Sequence, residues 1–428
     1  MAWRFSLDWT SSLDFQLDIV GFLAILGEGS VETIAQVVTL SNLAYVPRLL
    51  PAPQIFIRPT RPEKLETTSN AKVIGVHSGN TGEDIHHIAH ALHRGDKLPP
   101  NTVQCVRVVE NERPRPSIKR FGPLAILALI GFALSVTLLV LSVVLRDAMS
   151  LIATLLLSFL STNTGIANKW SPTPNDPKPD PHSPEGDVVI KYPQGAFIVV
   201  KCQERTARYL YFNPSERCIY AVKSTTIYRG LSLISTLCLM GGVICLANAK
   251  IQNQTAFAAS YMFINIVYWI VAALPPAKHW DLSRLEVSQI MVKGGTPPRT
   301  ARVDNVPPTY TEALWKAIAV TGTSNWVKEA GWAPRTPAWN DWLDEAEDAA
   351  VSEPMKAGLR KDEEGKDVET WTIRNWDSRN ALSTLLRTTT DRIQRQGTAN
   401  GGENFWRRTI GVAQPLADME RPQVEPKA

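Results

Sequence analysis

From Pro123 to Leu145 the chain runs for 23 residues without a charged side chain, PLAILALIGFALSVTLLVLSVVL. At a rise of about 1.5 Å per residue, a helix of that length measures about 34 Å, enough to cross a hydrocarbon core of about 30 Å. A soluble helix this long keeps a polar stripe, and this run has none. A second apolar stretch, Ala148 to Ala167, follows Arg146 and Asp147 and weakens at Ser161-Thr162-Asn163-Thr164. A third covers Ile227 to Ala249, with Arg229 near its start, and a fourth covers Thr255 to Leu274 and stops at Pro275-Pro276. Four spans are expected.

Lys and Arg near the span ends set the orientation. Arg113, Arg115, Lys119 and Arg120 precede the first span. Lys169, Lys178, Arg208, Arg217, Lys223 and Arg229 flank the second and third, and Lys278, Arg284 and Lys293 follow the fourth. The two short hairpin loops hold Arg146 and Lys250. Both termini are therefore expected in the cytosol. The alternative, three spans with a re-entrant second segment, would place the central basic loop outside. The apolar patch Ile19 to Leu26 follows Asp8, Asp14 and Asp18, lacks a positive leader and cleavage site, and reads as a packed or amphipathic helix.

The fold class is mainly α: a polytopic membrane protein with about four transmembrane helices, a small β element in the central cytosolic loop and a helical carboxy-terminal region. Six divisions follow. Residues 1–121 form an amino-terminal cytosolic region with a strand at Val103 to Val109, and 122–167 form the first hairpin. Residues 168–226 combine a linker, with six prolines between Pro172 and Pro184, and strands in KYPQGAFIVVKC and ARYLYFNPSERCIYAV, the latter turning at Asn213-Pro214-Ser215. The second hairpin is 227–275. A Trp-rich juxtamembrane region, 276–350, docks on headgroups or on the central loop; in it Thr336-Pro337 starts a helix with Trp339, Trp342, Leu343 and Ala346 on one face. Beyond Glu353 the periodicity fades into a charged, partly disordered tail, 351–428.

Pro307-Pro308-Thr309-Tyr310 is a PPxY motif, an extended ligand preset for the aromatic groove of a WW domain. Composition alone gives about 0.04 occurrences in a chain of this make-up. A WW-domain protein such as a ubiquitin ligase is the partner it implies, against a plain turn opening a helix over Thr311 to Val320. Five of the seven histidines fall between 77 and 93. A helix over Glu83 to Leu92 would align His86, His90 and His93, a spacing zinc accepts, against a solvated helix with incidental histidines. Gly75, Gly79 and Gly82 match neither a P-loop nor a dinucleotide fingerprint. The spans hold no Asp, Glu, Lys or His at mid-depth, and Asn265 and the Ser/Thr residues are the deepest polar groups, which weighs against pumps and proton-coupled transporters. Five cysteines read as reduced or packing residues, and the Asn253 sequon sits on a loop too short for glycosylation. A net charge of +4, from 45 basic and 41 acidic residues, argues against nucleic acid as a partner.

Two tracts carry a resemblance: LANAKIQNQTAFAASYMFINIVYWIVAALPPAKHWDLSRL at 246–285, and NWVKEAGW…PAWNDWL at 325–343. They resemble uncharacterised multi-pass membrane proteins of filamentous ascomycete fungi. The resemblance covers about 40 residues plus the second tract; it implies a membrane location and brings no activity and no catalytic residue. The leading expectation is a non-enzymatic membrane platform, without a cofactor, that meets WW-domain partners through Pro307, Pro308 and Tyr310. The alternatives are a small channel or transporter subunit, and a membrane-associated metal-binding protein using His86, His90 and His93.

Overall fold

Four helices are long and apolar enough to cross a membrane. In the computed structural model, which describes residues 28–65, 70–111, 117–172, 183–212, 217–295, 307–353, 355–361 and 367–399, they follow two other helices, α1 (Glu28–Val38) and α2 (His87–His93). The four are α3 (Pro123–Val144), α4 (Ala148–Asn168), α6 (Thr225–Ala247) and α7 (Ile251–Ala273), with a short α5 (Glu204–Ala207) between the hairpins. The polar end of the second run does not break α4. Ser161 and Thr162 donate to the Ser158 carbonyl, and Thr164 to that of Leu160, so each hydroxyl is satisfied within the helix. Asn163 donates across to the Leu231 carbonyl (2.8 Å) and Ser235 Oγ (2.7 Å) on α6. At the far end, the Asp147 carboxylate caps α4 and accepts from the Lys250 amide and from the buried Asn253, joining the two hairpin turns.

The soluble segments assemble differently from the sequence expectation. Strands β1 (Lys72–Gly75), β2 (Thr81–Gly82), β3 (Val103–Glu110), β6 (Val188–Lys191), β7 (Phe197–Lys201), β10 (Leu285–Gly294), β11 (Lys356–Lys361) and β12 (Asp367–Ile373) form one mixed eight-stranded sheet. Its order is β11-β12-β10-β3-β7-β6-β1-β2, with β10–β12 and β3–β7 parallel and the other pairs antiparallel. Two-stranded pairs join β4 (Ser117–Ile118) to β9 (Trp280–Asp281) and β5 (Trp170–Pro172) to β8 (Cys218–Tyr220). The expected small β element is therefore the middle of a large sheet. Its β3 precedes α3, its β6 and β7 lie between α4 and α6, and its β10 follows α7, so these three segments lie on one side of the bundle.

Both faces of the sheet are covered at β6 and β7, which is why these strands read as unbroken apolar runs rather than alternating ones. Val106, Val188, Ile190, Ile198 and Val200 join the core that continues into the bundle. Cys105, Val189, Phe197, Val199 and Ile290 face a layer of carboxy-terminal helices: α8 (Tyr310–Thr321), α9 (Asn325–Ala330), α10 (Pro337–Ser352) and α11 (Ser378–Ala399). The tryptophans anchor that layer, with Trp315, Trp326 and Trp342 fully buried. Their indole N–H groups donate to the Gly295 carbonyl, Thr321 Oγ1 and the Ser378 carbonyl respectively. Of the two expected docking modes this is the one onto the central loop, since Trp332 packs on Phe197 of β7 at 5.9 Å. Thr336 caps α10 with Pro337 in first position, as the sequence indicates.

Two further expectations are corrected. The charged stretch after Glu353 contributes β11 and β12, where Trp371 is buried and Arg107 holds Glu369 bidentately across from β3. Arg208–Phe212, read as strand from its aromatics, is a π-helical turn instead, because burying Tyr209, Leu210 and Tyr211 together suits a turn better than an alternating strand. The patch 19–26, the hairpin turn 213–215, most of the proline-rich linker and the last residues of the tail lie outside the described residues.

Candidate functional site

The segment joining α1 to the soluble domain first enters the bundle. After α1 a one-turn 3-10 helix, Asn42–Tyr45, lies against α4, and a Cβ on Gly165 would collide with the Ala44 carbonyl oxygen. The Arg48 amide donates to Ser161 Oγ (2.9 Å) and the Leu49 amide to the Gly131 carbonyl (3.0 Å). Gly131 favours this close approach, because a Cβ there would stand 3.0 Å from the Leu49 oxygen and 3.2 Å from Arg48 Cβ and push the segment away by a few tenths of an ångström. Gly131 lies eight residues into α3, or about 12 Å from its end. The chain then climbs back to the level of Asn168, whose amide donates to the Phe56 carbonyl.

Arg48 is thus an ionisable group at depth that the hydropathy of the spans does not reveal, and it qualifies the expectation that none lies there. Its side chain is 4% exposed, and Nη1 reaches the Leu43 carbonyl at 3.5 Å. Its Nε, the Tyr268 hydroxyl and Asn265 Oδ1 are buried without a hydrogen-bond partner. Among the described residues no carboxylate pairs with it.

Where the chain leaves the bundle, a cavity of about 590 Å³ opens between α1, the helix ends and the β5–β8 pair. Its wall carries the strap Arg58-Pro59-Thr60-Arg61-Pro62-Glu63-Lys64. Arg61 braces the strap, donating from Nη1 to the Ala167 carbonyl (3.0 Å) and from Nη2 to the Val222 carbonyl (2.5 Å). Its guanidinium lies 4.0 Å from the Tyr220 ring centre and 4.5 Å from that of Tyr228. Those phenols donate back to the Pro62 and Arg58 carbonyls (2.6 and 2.5 Å). Arg58 pairs with Glu32 at 2.5 Å. Across the tyrosine pair a second hollow of about 370 Å³ is bounded by Arg61, Glu63, Arg217, Thr225 and Arg229.

The histidines are not brought together as a ligand set. Helix α2 begins at His87, leaving His86 on extended backbone as its cap. His90 Nδ1 meets the Tyr192 hydroxyl at 3.3 Å, and His93 Nε2 meets that of Tyr211 at 2.6 Å. Among the described residues no three His, Cys, Asp or Glu side chains converge on one point. Burial lowers all four histidines from their ordinary value, His87 and His93 to about 4, with neighbouring His90 adding to both, so they are neutral at pH 7.

The PPxY residues open α8. Thr309 forms a capping box with Glu312, the Pro308 carbonyl accepts from Asn101, and the Tyr310 hydroxyl donates to the Trp332 carbonyl (2.8 Å). The Tyr310 ring packs 5.6 Å from Phe197 and under Lys191. Sequence reasoning passed over Arg48 and the strap. The available signals were one Arg in the apolar tract YVPRLLPAPQIFI, and a basic residue at every third position among prolines in RPTRPEK. No family model, curated protein or solved structure matches the chain.

Proposed function

We propose that this chain is a non-enzymatic, four-span integral membrane protein whose soluble segments build one cytosolic platform anchored on the bundle. The observation that carries this reading is the single sheet drawing strands from before α3, between the hairpins and after α7. Basic residues concentrate on that same side, which favours the cytosolic face. The re-entrant segment 41–57 supports a rigid coupling between platform and bundle, because its backbone is bonded into α3 and α4. Cysteines introduced singly at Lys97, Glu185 and Lys356 test it in sealed cells. All three are expected to react with an impermeant thiol reagent once the plasma membrane alone is opened; reaction of any one in intact cells, or only after an organelle is opened, ends this reading.

A WW-domain partner belongs to the platform reading as a conditional contact. Docking requires the first turn of α8 to release Tyr310 from Trp332 and Phe197. A peptide covering 302–315 is expected to bind a WW panel more tightly than the intact protein, with both losing binding on Tyr310→Ala. A transport role is the second reading, favoured by the buried Arg48 and by the unsatisfied Tyr268 hydroxyl and Asn265 Oδ1 in the bundle, since buried ionisable groups at membrane depth mark pathways. Ion flux through reconstituted protein that disappears with Arg48→Gln supports it, and flux no greater than that of empty vesicles removes it.

A further inference from the structure

We propose that the cavity at the junction of bundle and soluble domain binds the phosphorylated headgroup of an anionic membrane lipid. The inference rests on the membrane placement above and goes beyond it by naming a ligand.

Position comes first. The cavity and its neighbouring hollow are ringed by three helix ends: Asn168 at the close of α4, Thr225 to Arg229 at the start of α6, and Pro276 just past α7. In a bilayer those ends share the plane where hydrocarbon gives way to headgroups, so the opening lies beside lipid phosphates.

The chemistry of the wall follows from the strap. Prolines at 59 and 62 fix φ at two points of a strap that bends at Pro59, Thr60 and Glu63, and its basic residues recur every third position. Arg58, Arg61 and Lys64 stand at that interval and all line the cavity. Arg61 spends both Nη atoms on backbone carbonyls and holds the wall in place, leaving Arg58 and Lys64 to meet the ligand. Arg217 and Arg229 add positive charge from the adjoining hollow. Among the described lining residues, two carboxylates oppose these cations. Glu32 is bound to Arg58, a contact that a phosphate dianion exchanges for its own, and Glu63 borders the smaller hollow. His87 and His90 line the cavity as neutral donors and acceptors near pH 7.

Size and polarity agree. A volume of about 590 Å³ falls within the range of about 300–1,000 Å³ common to ligand pockets. Val37, Ile55, Phe56 and Leu65 form an apolar wall on the bundle side, suited to a glycerol backbone and the first methylenes of an acyl chain. A site with cations on one wall and hydrocarbon on the other fits a lipid better than a free polyanion.

The test uses the full chain in phosphatidylcholine nanodiscs, titrated with a fluorescent phosphatidylinositol bisphosphate. Saturable binding is expected, weakened about thirtyfold by the double substitution Arg58→Gln/Lys64→Gln. The double substitution Lys356→Gln/Arg360→Gln, which removes equal charge from exposed β11, is expected to change affinity less than twofold. Equal losses in both variants overturn the proposal in favour of unspecific charge attraction, as does binding no stronger than to phosphatidylcholine alone. Soluble inositol trisphosphate that binds as tightly as the lipid overturns the lipid source. Both variants change exposed side chains, and unchanged thermal melts confirm that they fold. Flotation after a carbonate wash separates this idea from its premise. A chain that washes off vesicles loses the membrane reading, whereas one that stays and shows no lipid preference loses this proposal alone.

Discussion

Helices α3 and α4 meet across three residues, Leu145 to Asp147, whereas β3 finds its partners β7 and β10 about 90 and 180 residues away, beyond one and two helical hairpins. Both regions bury apolar surface, but they obtain it differently. In the bundle each helix satisfies its own backbone, and chain-adjacent helices pack because the turn is short. In the soluble domain β1–β2, β6–β7 and β11–β12 pair locally, but β3 and β10 find no partner until a distant segment arrives, and that loop closure must be met before their contacts return stability. The comparison teaches that the bundle is the device bringing β3, β6, β7 and β10 together. The paired turns joined by Asp147 and the α4–α6 contact hold the helix ends, and hence the strands that leave them, at fixed separations.

Four measurements break or sharpen this contrast. Trp342→Ala removes a fully buried indole and its bond to Ser378 from the helical layer, and is expected to cost the soluble domain about 3–5 kcal/mol. Protease digestion should then cut the carboxy-terminal helices while α3, α4, α6 and α7 remain intact; loss of both together would make them one cooperative unit. Gly165→Val places a side chain against the Ala44 carbonyl, and should cost about 1–3 kcal/mol and expose 41–57 to proteolysis in detergent. An unchanged melting temperature would mean that the re-entrant segment adds nothing to the coupling.

The third is pH. Folded His87 and His93 titrate near 4 and unfolded histidine near 6.5, so between those values the unfolded chain binds more protons. Stability therefore rises with pH across that window and is lost on acidification, by about 1–2 kcal/mol at pH 5 after discounting for partial solvent access. His93→Gln should flatten the profile; an identical slope in that variant would assign it to other groups. The smallest effect is expected from Asn163→Leu. It deletes bonds to Leu231 and Ser235 but leaves an apolar contact, costing about 0.6 kcal/mol of α4–α6 association in a thermal melt, and a loss of several kcal/mol would refute that estimate.

The bundle was legible because period and length suffice for it. The expected spans fall within a few residues of α3, α4, α6 and α7, and Thr336-Pro337 and Val103 to Val109 mark real element boundaries. The sheet was less so. Strand β10 follows α7 with a mixed pattern, LEVSQIMVKG, and the charged β11 is exposed along its whole length, so neither shows the alternation of a half-buried strand. The strap and Arg48 were illegible for another reason: a cation's role depends on what surrounds it, and here Gly131, Ser161 and Ala167 come from more than 70 residues away.

Four helices able to span a membrane, their pairing as hairpins and the clustering of basic residues beside them follow from the amino-acid order alone, because local hydropathy and short turns decide them. That three separate soluble segments share one sheet, that Tyr310 packs inward at the start of α8, that His90 and His93 meet tyrosines while His87 packs on Trp280, and that an arginine sits within the bundle were decided by tertiary structure. Each depends on which distant surfaces meet, and burial and hydrogen bonding assign a side chain's role only after they have met.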